Sequence, residues 1–566
     1  MMQFKKMPNV RVAFDKKPDI SVADARSNKA LIGYQEIRCH LIFDIKMDGL
    51  FTRKARFVAG GHTTDPPASI TYSSVVARDS VRIAFTIAAL NSLKCMACDI
   101  GNAYLNAPCR EKIWCVAGRE FGSEKGSVMI ITRALYGLKS SGASWRAMFA
   151  TTLEELDYVP TKADPDVWLR PKVKKNGDDY YSMVLVYVDD VLCFDEAPEI
   201  LMNELADVYR LKDKPKPPDR YLGANFDRVQ LSNGDITWSM SSLDYVTNAI
   251  KTVEDTLETD KCIPLRSYGK KSGERPFPVN YKPEIETTPE LGEELTTRYM
   301  QLIGTLRWAI ELGRIDIMTE VSLLSQYQCM PREGHLDAVY RIFWYLKCCM
   351  KKKRIGRIVF DPIVPYVDES IFNPEQEGMW RDFYKDAEEQ IPYNIPTPRG
   401  KSVTTSCYVD ADHAGNLMTR RSHSGILLYL NNTPIIWYSK RQNTVESSSF
   451  GSEFIALRIA TETIESLRYK LRMFGVEIEG PTSIFCDNKS VVTNASIPTS
   501  MINKKHNSIC YHRVREANAA GTTRVGWILG EYNKSDLLTK TSISTSRRYD
   551  LSNSIFDHQC TVIKEE

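Results

Sequence analysis

Met183-Val184-Leu185-Val186-Tyr187-Val188-Asp189-Asp190-Val191-Leu192-Cys193-Phe194 sets two apolar arms around a pair of adjacent carboxylates. The arms are rich in β-branched and aromatic residues, which predicts a β-hairpin with Asp189 and Asp190 at its tip. A solvated turn is the ordinary fate of two acids. Here, however, the flanks would be tightly buried, and neighbouring carboxylates repel each other unless a cation lies between them. Divalent ions supply that cation, and hard Mg2+ prefers carboxylate oxygens. A third acid from a separate strand would complete the set. Asp99 qualifies: Val81, Ile83, Ala84, Phe85, Ile87, Ala88 and Leu90 have helical spacing over Ser80 to Leu93, and Lys94 to Ile100 then reads as a short buried strand.

Further out, the chain has 566 residues, which predicts two to four domains because a single core seldom grows past about 250–300 residues. Its 43% hydrophobic and 26% charged composition argues against disorder or a fibrous repeat. The net charge of +3 does not announce a polyanion partner, so local patches must carry that case. Arg210, Lys212, Lys214, Lys216 and Arg220 form one basic stretch; Lys347, Lys351, Lys352, Lys353, Arg354 and Arg357 form a denser one. Each reads equally as a phosphate track or a solvated face. No apolar run approaches the roughly 20 residues that span a bilayer, and Met1 to Lys17 lacks a signal-peptide core, which predicts an intracellular, cytoplasmic protein without a membrane partner. The 14 cysteines show no secreted-scaffold spacing and read as reduced thiols; Cys95 and Cys98 lack the second pair that a zinc site needs.

Leu41 to Lys46 predicts a strand entering an Asp48-Gly49 hairpin turn. Residues 210–220 and 261–290 read as connectors, Tyr221-Leu222-Gly223 as the start of a strand, and Tyr299–Tyr327 and His335–Cys349 as helical. After a Pro-rich, mixed-charge segment, Pro362 to Arg399, the pattern becomes strands Val403–Val409, Ser424–Leu430 and Pro434–Tyr438, helix Ser452–Phe474, strand Thr482–Cys486, a further helix, and a later strand Thr523–Leu529. That predicts a separate α/β domain.

Tyr187-Val188-Asp189-Asp190 resembles the Y-x-D-D box of reverse transcriptases, and Asp99-Ile100-Gly101-Asn102-Ala103-Tyr104-Leu105-Asn106 resembles the D-V-x-x-A-F-L-N motif of copia-type retrotransposon polyproteins. Arg133-Ala134-Leu135-Tyr136-Gly137-Leu138-Lys139 with Trp145, and Lys54-Ala55-Arg56-Phe57-Val58-Ala59, are similar to two more segments of that family. Leu302-Ile303-Gly304-Thr305-Leu306 through Tyr345-Leu346-Lys347 resembles the region that follows them. The resemblance implies that Asp99, Asp189 and Asp190 bind two Mg2+ ions, with Mn2+ as a substitute, for nucleotidyl transfer. It implies that Tyr104 lies beneath the incoming sugar and excludes a 2′-hydroxyl, and that Lys54 and Arg56 approach the triphosphate. Two positions depart from the family pattern: Gly60 stands where Arg is usual and Ser140 where Gln is usual, both beside the expected nucleotide pocket.

Asp410-Ala411-Asp412-His413-Ala414-Gly415, Ser448-Ser449-Phe450-Gly451-Ser452-Glu453-Phe454, Asp487-Asn488-Lys489-Ser490 and Ser535-Asp536-Leu537-Leu538-Thr539-Lys540 match, in order, the same family's ribonuclease H pattern. By that resemblance Asp410, Glu453, Asp487 and Asp536 hold a second pair of Mg2+ ions. Asp410 is preferred over Asp412 because it aligns with the family's acid, and helix N-capping is the alternative for Asp536. Ser448, Ser449 and Asn488 resemble positions beside a hybrid's minor groove. Lys504, Lys505, His506, His512, Arg513 and Arg515 are either a phosphate track or a solvated face.

The expected architecture is α/β and α+β multidomain: a right-hand polymerase with fingers and palm over 1–250, a helical thumb or connection with linker over 251–400, a ribonuclease H-like α/β domain over 401–545, and a tail over 546–566. The expected partners are an RNA template, a DNA or tRNA primer, an RNA/DNA hybrid and deoxynucleoside triphosphates. The abrupt start suits a fragment of a longer polyprotein. A decayed or domesticated product that binds nucleic acid without polymerising is the alternative; Gly60 and Ser140 favour it and the seven carboxylates oppose it.

Overall fold

The computed structural model describes residues 11–45, 53–67, 70–260, 263–269, 273–372, 379–502, 505–556 and 560–563. The chain divides into two compact units, one comprising 1–77, 94–172 and 181–217, the other 78–93, 173–180 and 218–566.

In the first unit the quoted stretch forms the expected hairpin. Asp179–Tyr187 pairs antiparallel with Asp190–Asp195, with Val186 opposite Val191 and Tyr187 opposite Asp190. Asp190–Asp195 also pairs antiparallel with Lys94–Asp99, and Val167–Val173 and Val159–Pro160 extend the sheet to five strands on the other side. Met183 to Val186 and Val191 to Phe194 are buried without alternation, as strands covered on both faces must be. Trp145, Phe149 and Leu153 from helix Ser141–Glu155, and Leu201, Met202 and Leu205 from helix Glu199–Val208, share one core with Val184, Val186, Val191 and Cys193. Each aliphatic side chain buried there stabilises the unit by about 1.5–3 kcal/mol. An acid at Val191 would break the sheet that aims the tip.

A smaller sheet, ordered Phe14–Lys17, Val128–Ile131, Ile113–Val116, Gln35–Glu36, packs around Phe14, Phe57 and Phe121, whose rings meet edge-on at 5.1–6.0 Å. Cys39–Ile45 and Arg53–Ala59 form the expected antiparallel pair. The Asp48-Gly49 turn lies outside the described residues.

In the second unit, strands Ala224–Gln230, Ile236–Ser241 and Ile358–Val359 form a sheet that Thr561–Ile563 joins at Ala224–Gln230. Phe85, on helix Arg78–Leu90, stacks on Phe226 and Phe360 with centroids 4.6 and 4.9 Å away. The helical stretch contains Leu243–Asp260, Glu293–Glu311, Met318–Leu324 and Glu333–Lys351. At its centre the buried Arg314 guanidinium grips Asp316 with two bonds of 2.8 and 2.6 Å, and Tyr345 donates to the same carboxylate at 2.7 Å.

The last sheet runs Thr433–Arg441, His423–Leu430, Thr405–Asp412, Thr482–Cys486, Thr523–Trp527. The first three strands are antiparallel and the last two run parallel to Thr405–Asp412, as in an α/β domain. Helix Ser449–Met473 packs on it through Phe454, Leu457, Ile464 and Leu471. Helices Lys489–Ser496 and Ser508–Ala519 complete the layer. No helix among the described residues is long and apolar enough to cross a membrane.

Candidate active sites

The hairpin tip of the first unit is conformationally unusual. Val188 sits at φ 59°, in the left-handed region that a β-branched residue rarely adopts. Two bonds hold it there: the Trp145 indole N–H donates to the Val188 carbonyl at 2.7 Å, and the Ile100 N–H donates to the Asp189 carbonyl at 2.8 Å. The tip is thereby tied to the end of the strand that carries Asp99, whose Cα partner across the sheet is Asp190. Burial, and then the charges of Asp189 and Asp99, push the Asp190 carboxyl up to about 6. Three acids, Asp99 and Asp190 on adjacent strands and Asp189 in the turn between the hairpin arms, therefore crowd negative charge together.

Asp99 has a cationic partner. Lys212 donates to the Asp99 carboxylate, and although burial opposes its charge, that bond and the surrounding acids keep its pKa raised. The sequence marked Lys212 only as part of a basic connector. In the structure this connector lies along the sheet edge: Gly101 and Lys212 N–H groups donate to the Arg210 and Asp99 carbonyls at 2.9 Å each, and Ala97 donates to Lys216 at 2.8 Å.

Tyr104, half-buried on the short helix Ala103–Asn106, lies against Tyr136 with centroids 4.8 Å apart and rings tilted by 57°. Burial first, and Asp189 second, raise the phenol pKa of both tyrosines, so both rings lie within reach of the tip's charge. Tyr136 was not singled out in the sequence, although it stands in the Leu135-Tyr136-Gly137-Leu138-Lys139 segment. It is 36% exposed, and its carbonyl accepts from the Ala59 N–H at 2.8 Å. Gly137 follows at φ 92°, where a Cβ would run into the Ala59 carbonyl. Arg56 lies on the same strand as Ala59, 3.8 Å from Asp44. Lys54 belongs to that strand too, and its side chain falls outside the described residues.

The two departures from the family pattern have local causes. A Cβ at Gly60 would approach the Arg38 carbonyl to 3.0 Å, the group to which the Gly60 N–H donates at 2.8 Å. Ser140 is 2% exposed and donates twice to Glu111, from its N–H at 3.0 Å and its hydroxyl at 2.5 Å.

In the second unit, Asp410 on the central strand, Glu453 near the start of helix Ser449–Met473 and Asp487 just past strand Thr482–Cys486 bring ligand oxygens within 4.8 Å of one another. Burial is the main reason that Asp410 is pushed up to about 6 and Glu453 well above the usual carboxylate range; the charges of Asp536 and Asp487 add to it at Asp410, and those of Asp410 and Asp487 at Glu453. Glu453 Oε2 is buried with no hydrogen-bond partner. A buried, orphaned carboxylate oxygen beside two other acids suits a hard divalent cation.

Asp536 is held differently. Lys540 bonds one of its oxygens, and Arg547 donates to the other at 2.6 Å. Lys540 also stands 3.3 Å from Asp410, which accepts from the Thr539 hydroxyl as well. The N-cap of the turn Lys534–Leu538 is Asn533, not Asp536. Asp412 accepts from the His423 N–H and lies outside the three-acid group.

Ser448 and Asn488 cap helices Ser449–Met473 and Lys489–Ser496, accepting from Gly451 and Val491, and Ser449 is exposed beside Ser448. In the basic cluster Arg515 is buried and donates to the carbonyls of Asn494, Ile497 and Pro498, Arg513 pairs with Glu465, and His506 stands 3.3 Å from Glu446. Lys504 lies outside the described residues.

The family described as reverse transcriptase (RNA-dependent DNA polymerase) matches residues 25–267. A retrovirus-related Pol polyprotein from transposon RE1 of Arabidopsis thaliana is 25% identical over 516 residues, covering 89% of this chain and 30% of its own length. That from transposon TNT 1-94 of Nicotiana tabacum is 25% identical over 521 residues, covering 90% and 35%. The chain thus spans about a third of the length of these two relatives. A solved foamy viral protease-reverse transcriptase in complex with double-stranded DNA covers 92% of this chain and 67% of its own at 11% identity and a TM-score of 0.44, too loose to align single residues. Residues 25–267, which include the tip hairpin, thus match the reverse transcriptase family, and about nine-tenths of the chain is similar to the Pol polyproteins of two plant retrotransposons.

Proposed function

We propose that this chain copies RNA into DNA at the Asp99, Asp189 and Asp190 site and cleaves the RNA strand of the resulting hybrid at the Asp410, Glu453 and Asp487 site. The observation that carries the reading is the crowding of three carboxylates at the hairpin tip, where burial and the charges of Asp189 and Asp99 push Asp190 up to about 6. Such a tip calls for divalent cations, which when bound polarise the attacking hydroxyl and the triphosphate. Asp99, Asp189 and Asp190 would hold them as Mg2+, or as Mn2+ in its place. Tyr104, backed by Tyr136, fills the space a 2′-hydroxyl would need, and Arg56 with Lys54 meets the phosphates. Lys212 neutralises Asp99 in the metal-free site.

In the second site the buried oxygens of Asp410 and Glu453 with Asp487 form the ion-binding floor. Thr539 orients Asp410, and Asp536 lies one ion pair away through Lys540. Ser448, Ser449 and Asn488 present polar groups to the hybrid. Residues 1–250 would act as fingers and palm, 251–400 as thumb or connection, 401–545 as the nuclease and 546–566 as a tail, in the cytoplasm, with template, primer and deoxynucleotides as partners.

Primer extension and hybrid cleavage by one preparation test this. Asp189→Asn should abolish extension and leave cleavage intact; extension at the wild-type rate would remove the site assignment. A product that binds nucleic acid without polymerising has one specific support, Ser140, whose hydroxyl is turned to Glu111. That reading predicts binding with no extension by the wild-type chain.

A further inference from the structure

The dense basic stretch after residue 346 is not one surface. Lys347 is paired with Glu254 at 2.6 Å, and Arg357 with Asp227 at 2.7 Å. Lys352, Lys353 and Arg354 line a cavity of about 940 Å3 that lies wholly within the second unit. Its volume is at the upper end of the range for small-ligand sites, about 300–1,000 Å3. Thr545 and Ser546, on the first turn of helix Thr545–Ile555, open onto it and bring the positive end of that helix to the same space. Val359, Ile555 and Phe556 supply an apolar wall. Glu274 and Asp361 are its acids; both carboxylate oxygens of Asp361 are already occupied, by the Ile363 N–H and the Asn432 amide.

Three observations point to a ligand. Lys353 follows the helix Glu333–Lys351 at φ 59°, in the left-handed position where glycine is the favoured residue. A lysine kept there costs about 1 kcal/mol relative to glycine, and it places its charge on the cavity. Arg354 has a buried Nε with no hydrogen-bond partner. Its guanidinium lies 5.3 Å from the ring of Tyr549, which is 47% exposed and lines the same cavity.

We propose that this cavity binds a segment of single-stranded nucleic acid, with its phosphates on Lys352, Lys353 and the first turn of Thr545–Ile555 and an unstacked base against Tyr549 and Arg354. Cations interleaved with an exposed aromatic ring are the recognition chemistry of unpaired strands, whereas an acidic peptide would leave the ring unused. The choice of nucleic acid over another polyanion rests on the polymerase reading.

The test uses the full chain with a chelator and a single-stranded oligonucleotide of about 12 nucleotides carrying 4-thiothymidine, photocrosslinked and mapped by mass spectrometry. Crosslinks are expected in the peptides containing Lys353 or Tyr549. Tyr549→Ala should lower their yield about tenfold, the scale of one base–aromatic stack, and Tyr549→Phe should restore it. Lys353→Gly should lower the yield while melting no lower than wild type, since glycine suits the backbone; a merely structural lysine would melt higher with no loss. Crosslinks confined to other peptides, or unchanged in Lys353→Gly and Tyr549→Ala, overturn the proposal. Primer extension on a short template, measured on the same variants, judges the polymerase reading separately. Mapped crosslinks without extension would leave this site standing and remove that reading; extension without mapped crosslinks would do the reverse.

Discussion

Glu453 has the most telling side chain in the second unit, because its buried Oε2 meets no donor while Asp410 and Asp487 stand beside it. Glu453→Gln removes a charge from a crowd of like charges at nearly constant volume. In a metal-free protein it should therefore melt no lower than wild type. A ligand at a hundred times its Kd stabilises a fold by about 2.7 kcal/mol, and the rise in Tm on adding Mg2+ should largely vanish. Thermal melts in an Asp189→Asn background, which silences the first site, check this; an undiminished rise would mean that the three acids do not share an ion. Tyr104→Val should raise ribonucleotide incorporation relative to deoxynucleotide incorporation by about 10- to 100-fold, within the discrimination a shaped pocket can provide. Competition between the two nucleotide types measures it, and an unchanged ratio would make Tyr104 ordinary packing against Tyr136. The sequence marked these positions through the segments that contain them, Asp99 to Asn106 and Ser448 to Phe454, which resemble motifs of the copia-type family. It could not mark the clamp of Lys540 and Arg547 on Asp536, since nothing in spacing tells which cation a carboxylate will meet.

The elements were legible where their period was strong. The hairpin at Asp189, the helix at Ser449–Met473 and the three antiparallel strands before it each carry a continuous apolar run or face. The helix after Thr482–Cys486 had no legible bounds, because in Lys489–Ser496 Val491, Val492 and Thr493 are β-branched and the other residues are small or polar, a composition with weak helix propensity that packing overrides. The Arg314-Ile315-Asp316-Ile317 turn also carries a buried ion pair. Asp316→Asn leaves the Arg314 guanidinium without its counter-charge and should cost about 3–5 kcal/mol, read as a fall in the urea midpoint. The irregular segment before residue 400 is pinned by Glu389. Burial alone would raise this carboxyl, but bonds from Arg468 and Arg472 at 2.6–2.9 Å outweigh it and hold the group at about 2. A carboxyl depressed on folding stabilises the fold above its unfolded value near 4.5, and that contribution is lost as pH falls toward about 2. Wild type should therefore exceed Glu389→Gln by on the order of 2 kcal/mol near neutrality, with the gap closing as pH drops from about 5. A gap independent of pH would contradict this.

At the scale of the whole molecule, two carboxylate sites lie in two separate units of one chain. The order of motifs along the sequence was readable, but the grouping of helix Arg78–Leu90 with residues beyond 217 was not. That grouping depends on Phe85 stacking on Phe226 and Phe360, which are far away in sequence. Contacts of that range leave no local signature. The departures Gly60 and Ser140 bear on the whole account, since both lie in the unit that would bind the nucleotide, and each is fixed by a backbone or side-chain bond of its own. Template-directed incorporation of a single deoxynucleotide with Mg2+ therefore tests the central claim most directly. The wild-type chain should add only the nucleotide complementary to the RNA template. Asp190→Asn should lower that rate at least about a thousandfold, matching the several kcal/mol of charge stabilisation that a divalent ion supplies. Incorporation by Asp190→Asn at the wild-type rate, or none by the wild-type chain, would contradict the account.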